Sequence, residues 1–321
     1  MRKVAVMVAA FALVGSTAVF AQTGNGNGNG NAYGHDKHED GIWKIKGDHD
    51  EIVDVLPTPE QAAKSDKHAE DQIPMAMNGY SVYGASYGAN PGALDNHGGY
   101  VISNASYFAI YYNSQPAAAL QSGINSFVNN FSNSDPGMKV ITQYSANGYT
   151  ISASITNAGS FVDTKATPNK ISDTQIQSYL AGLFNSGKVA FVPNSRIYGV
   201  YLPSGTVSTQ GVYRSCTNYC GYHSSFTYNG QTAIYAVYPY NSCSGCSMAG
   251  KTVLDMETIV SSHEIREAIT DPVNAWWESS SGYEADDKCA WHNLYQQTGG
   301  AWVQPEYSNA MGGWPRGCIT P

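Results

Sequence analysis

Apolar residues recur at helical spacing between about positions 250 and 271. Val253, Met256 and Val260 form one row, and Leu254, Ser261 and Ile265 another. Asp271-Pro272 ends this helix, because proline disfavours helical dihedrals in the residue before it. Upstream, the apolar run 107–112 predicts a buried strand, and Pro116 opens a helix to Phe131 with Leu120, Ile124 and Phe127 on one face. Residues 149–155 alternate as a strand does. Ser172-Asp173-Thr174-Gln175 is a capping box ahead of a helix carrying Ile176, Tyr179, Leu180 and Leu183. Residues 188–192, 197–202 and 233–238 are further strand candidates. Strands alternating with helices predict an α/β or α+β fold, a mixed β-sheet with packed helices, followed by an irregular cysteine-containing C-terminal segment.

The N-terminal pattern differs. Residues 1–21 combine two basic residues with an apolar run and a small-residue end, a signal peptide cut after Ala21. Residues 22–74 are Gly/Asn-rich and then acidic, which predicts a disordered linker or a removable pro-segment, whose His and Asp side chains approach a metal in the second case. Residues 75–321 have the composition of a single globular domain. A secreted or periplasmic protein follows, with no membrane association once the signal is removed. Its six cysteines then form disulfides, Cys289 with Cys318 and the other four locally, with a four-cysteine zinc knot as the alternative for those four. A net charge of −8 without a basic patch argues against nucleic acid as the partner.

Candidate chemistry sits on the 250–271 helix. At 3.6 residues per turn His263 and Glu267 stand one above the other, in line with Met256 and Val260, while Glu264 lies a quarter turn away. Asp255, Ser262 and Arg266 are expected to face water. A solvated helix end with scattered charges is the plainer alternative, but an imidazole and a carboxylate on an apolar stripe point to a metal site. The pattern is H-E-x-x-H with Glu267 replacing the second histidine. A third ligand is expected downstream, at Asp287 or Glu284.

Gly211-Val212-Tyr213-Arg214-Ser215-Cys216, Cys220-Gly221-Tyr222-His223, the Cys243-Ser244-Gly245-Cys246 turn and Thr270-Asp271-Pro272 resemble the plant exordium or phosphate-induced protein family, in order over residues 107–318. Plant members are secreted, growth-linked proteins with no established enzymatic activity. The stretch from His263 through Asp271-Pro272 and from Glu284 through Cys289-Ala290-Trp291 looks like a bacterial branch of that family, and is also similar to thermolysin-type metallopeptidases. That second likeness implies zinc, Glu264 as general base and an acidic third ligand at the offset of Asp287. Glu267 in place of histidine hardens the ligand set, so calcium or manganese joins zinc as a possibility.

The leading expectation is therefore a secreted metal-dependent peptidase acting on a peptide or protein substrate. His223, Tyr222, His292 or Tyr307 would donate to the oxyanion, and the strand at 233–238 would bind substrate by edge pairing. His223 is alternatively a metal ligand. The rival is a non-catalytic, exordium-like binding protein with a structural cation or none, using Trp276, Trp277, Trp302 and Trp314 on cell-wall sugar or a partner.

Overall fold

The structure, a computed structural model, describes residues 43–48, 52–63, 92–112, 118–132, 135–165, 168–279, 282–310 and 317–321. The expected signal peptide, the histidines at 35, 38, 49 and 68, the helix start at Pro116 and Trp314 lie outside the described residues.

A seven-stranded sheet forms the centre. Its strands in chain order are β1 (Lys44–Lys46), β2 (Ile52–Pro57), β3 (Ser106–Tyr111), β4 (Thr156–Val162), β5 (Arg196–Tyr201), β6 (Tyr219–Tyr228) and β7 (Gln231–Tyr238). Their order across the sheet is β1-β2-β6-β7-β5-β3-β4. β4, β3, β5 and β7 pair in parallel, and β7, β6, β2 and β1 in antiparallel. The parallel half needs crossovers, and α1 (Ala118–Asn130) and α2 (Asp173–Asn185) lie within two of them. The antiparallel half turns tightly: Tyr228 pairs with Gln231, and Asn229 and Gly230 between them take φ of 50° and 76°.

Side chains alternate between two cores. Tyr107, Ala109, Ile234, Ala236 and Leu56 face one, with α1 and α3 (Val253–Thr270). Ile110, Val200, Tyr235, Val237 and Val55 face the other, with Ile176 and Leu180 of α2. The mixed sheet with packed helices matches the fold class expected from sequence. Both expected capping features of α2 form, Ser172 with Gln175, and α3 carries an equivalent box between Thr252 and Asp255.

Several expectations need correction. Residues 149–155 form no strand. Asn147 and Gly148 take positive φ in a turn closed by an Ala146–Tyr149 bridge, and the strand begins only at Thr156. Residues 188–192 form none either, because the Tyr198 hydroxyl donates to Ala190 O and accepts from Val192 N, occupying groups that a ladder would use. Residues 43–48 and 52–57 are no disordered linker. They lack apolar residues enough for a core of their own, yet Trp43, Ile45, Val53, Val55 and Leu56 are buried in the cores of the main sheet. The strand at 233–238 has neighbours on both sides, β6 and β5, so it is not an edge.

All six cysteines are oxidised, as Cys216–Cys243, Cys220–Cys246 and Cys289–Cys318. The last pair matches expectation. The other four pair with one another across two strand-end segments, which removes the zinc-knot alternative because no thiolate is left. Among the described residues no helix is long and apolar enough to cross a membrane.

Candidate metal centre

The centre lies where α3 crosses β6 and β7 and is covered on its other side by the C-terminal segment. Residues 256–270 of α3 are all buried, the polar ones included. Gly221 of β6 sets the approach. A Cβ there would stand 2.4 Å from Val260 Cγ1 and 2.8 Å from Glu264 Oε1, so only glycine admits the helix this closely. Strand alternation then separates Tyr222 from His223. The Tyr222 hydroxyl donates to Asp173 on one face, and His223 points at α3 on the other.

His263 Nε2 stands 2.9 Å from Glu267 Oε2 and 3.6 Å from Asp287 Oδ1. His223 Nδ1 stands 3.2 Å from Glu264 Oε2 and 3.8 Å from Glu267 Oε2, and its Nε2 stands 3.6 Å from Glu284 Oε2. The return segment is locked by its own backbone: Glu284 N–H donates to Asp287 Oδ2, and Asp287 N–H donates to Glu267 Oε1. Three groups consequently have ligand atoms within 4.8 Å of one another: His263, Glu267 and Asp287; His223, Glu264 and Glu267; and Asp54, His223 and Glu284. The six side chains expected from sequence thus share one site.

Two members were not expected by number. Asp54 of β2 lies opposite His223 in the ladder, and Lys44 of β1 pairs with Asp54 and lies 3.4 Å from Glu284 Oε1. Both are about a fifth exposed, whereas His223, His263 and their α3 and return-segment partners are at most 4 % exposed. Asn229-Gly230 between alternating runs was the available hairpin signal for β6, and so for the strand position of His223. No local signal places Lys44.

Burial pushes the Glu264, Glu267, Glu284 and Asp287 carboxyls well above the usual carboxylate range, and neighbouring carboxylates add to this. Burial holds His263 well below the ordinary histidine value and lowers His223 to about 4. Burial also opposes the Lys44 ammonium, but Asp54 and Glu284 more than offset it and raise its pKa. Such a cluster of hard oxygen donors and neutral imidazoles has the character of a cation site.

Arg266 and Ser262 do not face water. The Arg266 guanidinium is buried among Asp286, Glu306 and Asp135, and it donates to Gln304 O; Ser262 donates to Ile259 O. A C-terminal segment packs over this flank, so α3 is enclosed on both sides. Tyr222 is committed to Asp173, and the Tyr307 hydroxyl donates to Gly92 O, which removes both from the expected oxyanion donors. His292 is half-buried on the turn after Cys289. Trp277 stacks on His97, and Lys251 lies over Trp302, so these rings are not a bare platform.

No protein-family model, curated protein or solved structure matches the chain.

Proposed function

We propose that the protein is a secreted, metal-dependent hydrolase of peptide bonds. Its divalent cation is held by His263, Glu267 and Asp287, with Glu284 beside them. The observation that carries this reading is the convergence of His263 Nε2, Glu267 Oε2 and Asp287 Oδ1 from successive helix turns and a return loop, in a fully buried setting. Buried carboxylates that crowd together without a counter-charge are costly, and a cation removes that cost. Among the described residues no hydrogen-bond donor reaches Glu284 Oε2, which groups with Asp54 and His223 rather than with those three ligands. Zinc suits the imidazole, and calcium or manganese suits the carboxylates.

A cation bound here supplies Lewis acidity and makes a water acidic. Glu264, adjacent on the helix and paired with His223, accepts the proton and passes it to the leaving amine. His223 orients Glu264 and is the imidazole nearest the reacting region. A peptide is the favoured substrate because a polarised carbonyl, an activated water and a carboxylate that moves the proton are what amide hydrolysis needs; β6, paired with β2 and β7, offers it no free edge. The chemistry reaches solvent past Lys44 and Asp54, the partly exposed members. The three disulfides fit an oxidising compartment.

The burial of the ligands favours one other reading, a binding protein with a structural cation. Two measurements separate the two. Metal analysis of the purified protein is combined with a casein-type cleavage assay before and after chelation. Glu264→Gln is expected to lower cleavage by at least about a hundredfold with the circular dichroism spectrum unchanged. A metal-loaded protein without chelator-sensitive cleavage leaves the structural cation standing.

A further inference from the structure

We infer that the centre takes two divalent cations, the second between His223 Nδ1, Glu264 Oε2 and Glu267 Oε2, with Glu267 shared by both. The inference rests on the first cation of the proposed function and deepens it.

The shared atom is visible in the distances. Glu267 Oε2 lies 2.9 Å from His263 Nε2 and 3.8 Å from His223 Nδ1, so one carboxylate oxygen faces both imidazoles. Its other oxygen is occupied by Asp287 N–H. Glu267 therefore stands as a bridging ligand between two groups of donors.

His223 supplies the independent observation. Both of its ring nitrogens face carboxylates, Nδ1 facing Glu264 and Glu267, and Nε2 facing Glu284. A neutral imidazole has one N–H, so carboxylates that are ionised meet a ring lone pair on one side. The Nε2 side already has a cation of its own, because the Lys44 ammonium sits on Asp54 and Glu284. With the proton on Nε2, toward Glu284, the Nδ1 lone pair points into Glu264 and Glu267, and a second cation there turns repulsion into ligation.

Charge points the same way. Glu264, Glu267, Glu284, Asp287 and Asp54 surround the two imidazoles, and Lys44 is the ammonium among them. Five carboxylates against one ammonium leave four negative charges when all are ionised. One divalent ion neutralises half of that, and two neutralise it. Asp271, near Lys44, is separately held by Ala275 N–H. The assignment keeps Glu264 in its proposed role: Oε2 faces the second cation, and Oε1 is left for the proton.

The test uses the disulfide-intact chain, stripped with chelator and titrated with Mn(II). Bound metal is counted after equilibrium dialysis, and the spin state is read by electron paramagnetic resonance. Two equivalents per chain with a spin-coupled signal are expected. His223→Asn is expected to bind one equivalent, with an uncoupled six-line signal. One equivalent in the wild type, or two that are uncoupled, overturns the shared site while leaving the first cation in place. None overturns both. Because the wild-type count and coupling decide the matter, a variant that fails to fold does not rescue the proposal.

Discussion

Lys44 shows how much one side chain decides in this centre. Its ammonium pairs with Asp54 and Glu284, two acids facing His223, and it is the member that no pattern on α3 foretells. An ammonium at that place both steadies the metal-free cluster and repels an incoming divalent ion. Lys44→Met is therefore expected to tighten cation binding about tenfold, a change of about 1.4 kcal/mol, while lowering the stability of the chelated protein. Isothermal titration with Mn(II) and urea unfolding in chelator check the two halves. Weaker cation binding in the variant would show that Lys44 organises the ligands rather than competing with the ion.

At the scale of elements, the centre depends on how closely α3 lies on β6. Gly221 is the point of closest approach, with Val260 and Glu264 where a Cβ would be. Gly221→Ala is expected to cost about 1–3 kcal/mol through overpacking and to weaken cation binding, since Glu264 and Glu267 move with the helix. Thr252→Ala is the control: it removes the N-cap of the same helix, about three turns or more from the proposed ligands. It is expected to cost about 1 kcal/mol with the same cation affinity. Denaturant midpoints and titration enthalpies on the pair separate helix stability from helix placement. Equal cation affinity in both variants would mean that the approach distance does not matter.

For the whole molecule, pH exposes a second buried acid outside the centre. Glu257 accepts from Asn241 N–H and lies near the Tyr111 hydroxyl, and burial raises its pKa to about 8. Folding thus holds a proton that the unfolded chain releases above its ordinary value of 4.5. Between those values the unfolded state binds fewer protons, so stability falls as pH rises, by up to about 1.4 kcal/mol per pH unit. His223, lowered to about 4, acts in the opposite sense between pH 4 and its ordinary 6.5. The wild-type-minus-Glu257→Gln difference cancels that contribution. Urea unfolding in chelator from pH 4.5 to 8 is expected to show the wild type losing ground steadily to the variant. A difference independent of pH would contradict a raised Glu257.

Sequence by itself determined what depends on neighbours along the chain. Helical spacing placed His263 and Glu267 in line, the Ser172 capping box placed α2, and Asp271-Pro272 ended α3 where the structure ends it. The mixed sheet was legible because its central strands are runs of apolar residues. Tertiary structure decided the rest, because burial is a property of what packs on top. Arg266 and Ser262 read as a wet flank until a segment from residue 284 onward covers them, and residues 43–48 and 52–57 read as linker until β6 offers β2 an edge and β2 offers one to β1. The meetings of His223 with Glu264 across 41 residues and of the Asp287 N–H with Glu267 across 20 are likewise settled by packing. Local propensity cannot encode such meetings. They form because a sheet face, one glycine and a locked return loop leave those side chains no other place to point.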